Sequence, residues 1–128
     1  MDGKLVLYIE DNPSNRKVMQ HIFRMTPHRL IEALNGRDGL DLVSKERPDL
    51  ILLDLQLPDL SGYDVARRLK ADADLKDIPI IAVSAYALSG DDRKALEAGC
   101  DGYIAKPFHP STITTQLQRY LGDPDPSQ

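Results

Sequence analysis

The chain of 128 residues has a single cysteine, so no disulfide can form within it, and Cys100 reads as a small buried hydrophobe. It has no apolar run of membrane length; the longest are strand-sized and interrupted by Asp. Its N-terminus, MDGKLVLYIEDN, carries neither a basic leader nor a long apolar stretch. With no secretory signal visible, a cytosolic location without a membrane partner is the expectation. An excess of positive charge is also missing: Lys and Arg total 16 against 20 Asp and Glu, a net charge of -4, so direct binding to nucleic acid is not expected. The histidines His21, His28 and His109 show no metal-ligand spacing and are expected to be solvated or packed. No G-x-x-x-x-G-K-[ST] loop occurs, which sets aside a nucleotide hydrolase despite the metal-strand look of residues 50–54. Internal repeats and low-complexity blocks are absent as well.

What is present fits one globular domain, with 41% hydrophobic and 28% charged residues. Nearly continuous runs of Val, Ile and Leu at 5–9, 50–53 and 78–83 have the pattern of strands buried on both faces of a parallel sheet. Weaker runs at 29–34 and 102–105 suit edge strands. Between them, apolar residues recur at helical spacing over 16–25, 39–45, 62–71, 91–98 and 112–121. Ser14 or Asn15, Ser61 and Ser111 are candidate caps, and Gly99 sits where a left-handed helix terminus wants it. The alternation predicts an α/β fold, a five-stranded parallel sheet with helices on both faces. Residues 1–121 are expected to form the domain and 122–128, with Pro124 and Pro126, a frayed tail.

In such folds the site lies at the strands' carboxyl ends. The residues there are Glu10 and Asp11, then Asp54, Ser84 and Lys106. An Asp closing a strand is often only a turn former or cap, and Ser84 alone is as well read as a cap. Three carboxylates after different strands, however, would repel one another unless a cation sits among them. Mg²⁺ takes oxygen ligands, and Asp11 and Asp54 with a backbone carbonyl near Gln56 make an open site for it. Ser84 and Lys106 add a hydroxyl and a cation that could grip phosphoryl oxygens. Lys106 precedes Pro107, which favours an extended conformation and allows a cis bond; either fixes where the ammonium points.

The segments LVLYIEDN, PDLILLDLQLPDLSGYDV, IPIIAVSAYA and AGCDGYIAKPF, in that order, make the chain resemble the receiver domain of bacterial response regulators, the phosphoacceptor module of two-component signalling. The resemblance implies the flavodoxin-like (βα)5 receiver fold, with Asp54 as phosphoacceptor and Mg²⁺ as cofactor. It makes Asp11 a direct metal ligand, Glu10 a ligand through water, and Ser84, Lys106 and Tyr103 the family's hydroxyl, lysine and switch aromatic. Wording around EDNPSNRKVM is similar both to single-domain regulators of cell division and to receivers of hybrid histidine kinases, and the motifs do not separate them. Two departures stand out: Glu10 replaces the commoner Asp, favouring contact through water, and Tyr8 occupies a position where an aliphatic residue is usual. Gln56 and Tyr86 fall where the family tunes dephosphorylation; the bulk of Tyr86 predicts a moderately long-lived phosphoryl state.

The resemblance implies a histidine kinase or phosphotransferase as donor, docking near the first helix, and self-catalysed phosphorylation, not enzymatic turnover. It also implies that Tyr103 rotates behind Ser84 to alter a protein-binding face for a downstream effector. Without that switch, Tyr103 reads as an edge residue with its hydroxyl in water. A monomer or a weak phosphorylation-dependent dimer is expected, signalling through protein contacts. The competing readings are a degenerate receiver that binds a partner without phosphorylation, and an aspartate-dependent phosphohydrolase. The latter lacks its general acid, because Gln56 stands two positions after Asp54.

Overall fold

A computed structural model describes residues 3–85 and 90–122. Five strands, β1 (Leu5–Ile9), β2 (Arg29–Ala33), β3 (Leu50–Asp54), β4 (Ile80–Ser84) and β5 (Gly102–Ala105), alternate with α1 (Pro13–Arg24), α2 (Gly36–Glu46), α3 (Gly62–Ala71), α4 (Asp91–Glu97) and α5 (Pro110–Leu121). The strands are parallel in the order β2-β1-β3-β4-β5, so the weak runs are indeed the edges. Every residue of β3 and β4 is buried, as expected of central strands covered on both sides.

Because successive side chains point to opposite faces, each strand feeds two cores. Val6, Tyr8, Leu50, Leu52, Ile81, Val83 and Ile104 pack with Met19, Ile22 and Phe23 of α1 and with Ile113 and Leu117 of α5. Leu7, Ile9, Ile51, Leu53, Ile80 and Ala82 pack with Val43 of α2, Val65, Ala66 and Leu69 of α3, and Ala95 of α4. Cys100 is buried in this second core, and burial pushes its thiol up to about 12.

Several element ends differ from the sequence reading. Helix α1 begins at Pro13, not at 16, and its cap is Asn12, whose side chain accepts from the N–H groups of Ser14 and Asn15. Proline suits this first position because its missing donor would have no helical partner there. Helix α2 likewise starts at Gly36, capped by Asn35 and held by Asp59, which accepts from the N–H groups of Gly36 and Arg37. Ser111 lies inside α5, which opens at Pro110 after an extended His109 with no side-chain cap. Strand β4 starts at Ile80, after Pro79, rather than at 78. Ser61 does cap α3, accepting from Asp64 N–H, and Gly99 has the expected positive φ of 108°. Of the expected tail, residues 123–128 lie outside the described residues, as does Tyr86.

Candidate functional site

The sheet order places its switch point at β1 and β3, where the chain's connections diverge to opposite edges and a crevice opens beyond the carboxyl ends. Ile9 is in register with Leu53, which brings Glu10 alongside Asp54. Alternation puts Glu10 on the side of Tyr8, Asp54 on the side of Leu52, and Lys106 on the side of Ile104, all above the α1–α5 core. One carboxylate oxygen each of Glu10, Asp11 and Asp54 falls within 4.8 Å of the others. Asp11 is exposed, whereas Glu10 and Asp54 are 1% and 2% exposed.

Lys106 reaches in from the end of β5. Its Nζ donates to Glu10 Oε1 at 2.8 Å and lies 3.4 Å from Asp54 Oδ1. Lys106 N–H donates to Ser84 O at 2.9 Å, and the Lys106–Pro107 bond is cis. Gln56 N–H donates to Asp54 Oδ1 at 3.1 Å. Helix α3 starts directly against the end of β3: Gly62 N–H donates to Leu55 O, and a Cβ on Gly62 would lie 2.6 Å from Asp54 O. Only glycine permits that approach.

Electrostatics separate the two buried carboxylates. Burial pushes Asp54 up, and the neighbouring Glu10 adds to this, against the Gln56 N–H and the Lys106 charge, to a pKa of about 7. Burial also acts to raise Glu10, but the Lys106 hydrogen bond, then that from Asp54, the Lys106 charge and the Asn12 N–H outweigh it and hold Glu10 below its ordinary value. As three hard oxygen donors on one rim, with Asp11 open to solvent, Glu10, Asp11 and Asp54 fit a small divalent cation such as Mg²⁺.

A family model for the response regulator receiver domain matches residues 6–118. The chain belongs to that family. This receiver is 41% identical over 120 residues to the polar-differentiation response regulator DivK of Brucella anthropi, covering 94% of this chain and 98% of that protein. It also superposes on the receiver domain of the sensor histidine kinase PA1611 from Pseudomonas aeruginosa. There the TM-score is 0.88 and the identity 36%, covering 94% of this chain and 99% of that one, and that structure has a magnesium ion coordinated in its active-site cleft. The receiver of a Syntrophus aciditrophicus histidine kinase matches with a TM-score of 0.86 at 30% identity, covering 98% and 96%. Relatives thus include both a response regulator and histidine kinase receivers, the two kinds of home the sequence suggested. Among the described residues of this receiver, no helix is long and apolar enough to cross a membrane.

Within this receiver, Ser84 is fully buried, and β4 alternation sets it with Ala82 on the α2–α4 side. Tyr103 pairs with Ala82 across the strands and lies on that side too. Tyr103 is an edge-strand residue, as read, but its hydroxyl donates to Ser84 O at 3.3 Å, which corrects the expectation of a hydroxyl left to water. Three residues of the receiver's rim were not identified as site residues from sequence. Asn15, considered only as a cap, donates through its amide to Glu10 Oε1 at 3.3 Å. Arg16 Nη1 donates to the carbonyls of Glu10 and Asp11 at 3.2 and 2.9 Å, tying down the backbone of the acidic pair. Tyr8, noted as a mere departure, is fully buried and donates to Glu10 Oε1 at 3.0 Å. Burial first, and then the Glu10 charge, keep this hydroxyl protonated and therefore a donor. The i, i+2 spacing of Tyr8 and Glu10 at a strand end was the available signal. His28 is packed, its Nδ1 accepting from Lys4 N–H at 3.0 Å.

Proposed function

We propose that this receiver accepts a phosphoryl group on Asp54 from the phosphohistidine of a histidine kinase or phosphotransferase. The observation that carries the proposal is the convergence of Asp54 with Lys106 at 3.4 Å and with Glu10 and Asp11 within 4.8 Å at the sheet's carboxyl edge. An Asp54 carboxylate oxygen attacks phosphorus in line, an O–P bond forms as the P–N bond breaks, and the imidazole leaves with the electron pair. Asp11, Asp54 and the Gln56 carbonyl would hold Mg²⁺, with Glu10 acting through water because its oxygens already accept from Tyr8, Lys106, Asn15 and Asn12. Bound there, Mg²⁺ supplies charge neutralisation for the phosphoryl oxygens. Lys106 contributes the protein's own cation, and in doing so turns from Glu10 toward the new group.

The acyl phosphate adds about -1.5 to -2 of charge beside Ser84. Drawing the Ser84 hydroxyl toward it vacates space on the α2–α4 side, where Tyr103 already contacts the Ser84 backbone. Tyr103 then moves into that space and remodels the face of α4, β5 and α5 for a protein effector or a weakly associating second copy. The domain proposed to do this is residues 1–121, working in the cytoplasm without turnover of a substrate.

Intact-mass spectrometry after incubation with a small acyl-phosphate donor tests the proposal. The expected result is one phosphoryl group on the wild type, dependent on Mg²⁺, and none on Asp54→Asn. No adduct under any condition would favour the degenerate receiver, and donor consumption without an adduct would favour the phosphohydrolase.

A further inference from the structure

Glu10 Oε1 is an unusually crowded acceptor. It takes the Tyr8 hydroxyl at 3.0 Å, the Lys106 ammonium at 2.8 Å and the Asn15 amide at 3.3 Å, while Oε2 takes Asn12 N–H at 3.2 Å. Lys106 and Asn15 are partly exposed and come from other elements, so either can exchange its contact for water. Tyr8 cannot. Its ring is locked in the α1–α5 core, its side chain is fully buried, and breaking its bond would strand a hydroxyl with no water to replace the acceptor. It stands two residues before Glu10, on the face of β1 that Glu10 continues, so its direction is set by the strand itself.

The two departures from the family's usual pattern therefore form one device. A Glu carries one more methylene than an Asp and has more freedom at the strand end; the Tyr8 hydroxyl removes that freedom. We infer that Tyr8 is a positioning residue for the metal site, its buried hydroxyl fixing the Glu10 carboxylate at the reach from which it serves a metal-bound water. The inference rests on the proposed Mg²⁺ site. Partners that orient metal-site carboxylates commonly govern affinity by 10-fold or more.

Calorimetric titration with magnesium chloride alone, on wild type, Tyr8→Phe, Glu10→Asp and the double variant, tests it. Tyr8→Phe keeps the ring in the core and is expected to weaken Mg²⁺ binding about 10-fold. In the Glu10→Asp background, where the shorter side chain has withdrawn from Tyr8, the same change is expected to matter less than about twofold. Should Tyr8→Phe fold poorly, Glu10→Asp reads the coupling from the other end, by the loss of a slowly exchanging Tyr8 hydroxyl proton in NMR spectra. Unchanged Mg²⁺ affinity in Tyr8→Phe, or an equal loss in both backgrounds, overturns the inference and leaves Tyr8 a core residue. A wild type that binds no Mg²⁺ overturns the proposed metal site itself, a result distinguishable from either.

Discussion

The Lys106 ammonium lies 2.8 Å from Glu10 Oε1 but 3.4 Å from Asp54 Oδ1, so the lysine leans on Glu10 more than on Asp54. If Asp54 is phosphorylated as proposed, the same ammonium needs only a small side-chain movement to turn from Glu10 toward the new group.

Removing that cation leaves two buried carboxylates facing each other. Lys106→Ala is expected to destabilise the fold by about 3 kcal/mol at pH 8, the usual scale for orphaning a buried charge. Both carboxylates would then have raised pKa values, so the folded state binds more protons than the unfolded one and the loss grows as pH rises. Urea unfolding at pH 5 and pH 8 checks this. The variant is also expected to retain some phosphorylation but lose the Tyr103 response, read from the change in its ring resonances on phosphorylation.

Asp54 carries a pH signature of its own in metal-free buffer. Its pKa is raised from 3.8 to about 7, by burial first, so between those values the folded state holds a proton that the unfolded state has released. Stability therefore falls as pH rises across that window. Asp54→Asn cannot ionise and is expected to melt about 5 °C above wild type at pH 8, the gap closing below pH 4. Thermal melts with a chelator present measure it; a gap independent of pH would mean that Asp54 is not held by its burial.

Gly62 sets how tightly α3 sits on the end of β3, beside Asp54. A Cβ there would lie 2.6 Å from both Asp54 O and Leu55 Cα, backbone atoms that cannot simply turn aside. Gly62→Ala is expected to cost about 1–3 kcal/mol. Because the displaced backbone is that of Asp54, it should also slow phosphorylation by an acyl-phosphate donor. Denaturant midpoints and adduct formation rates, measured together, distinguish this from a purely structural loss.

The loop between β3 and α3 is pinned to α2 through Asp59, which accepts from Gly36, Arg37 and Leu60 N–H at 2.8–3.0 Å. Asp59→Ala is expected to cost about 1 kcal/mol, the usual worth of a helix cap. Its nearby Arg37 ion pair, at 3.9 Å and exposed, should add little. A urea midpoint unchanged at high salt relative to low salt, for the difference between variant and wild type, would confirm that the backbone bonds matter and the ion pair does not.

The central strands were legible because Leu50–Asp54 and Leu5–Ile9 are almost purely apolar, a composition only a doubly covered strand tolerates. The candidate site was legible for a related reason: Glu10 and Asp11 follow β1, Asp54 and Ser84 close β3 and β4, and Lys106 follows β5, at carboxyl ends that parallel topology gathers on one rim. The starts of α1 and α2 were not, although those of α3 and α4 were. Pro13 to Asn15 and Gly36 to Asp38 carry no apolar periodicity, and caps, not packing, decide those turns. The contacts of Asn15 and Arg16 with the acidic pair were not legible, because they depend on where α1 leaves β1. Tyr8 escaped because an apolar ring within an apolar run announces packing, and its hydroxyl partner becomes apparent only once the strand's alternation is fixed.

The most direct test of the phosphoacceptor assignment is chemical localisation. Wild-type protein phosphorylated in the presence of Mg²⁺ is reduced with borohydride, which converts an aspartyl phosphate to homoserine, and then digested and sequenced by tandem mass spectrometry. Homoserine at position 54, and at no other acidic residue, is the predicted result. Homoserine at Asp11 or elsewhere, with Asp54 recovered intact, would contradict the account.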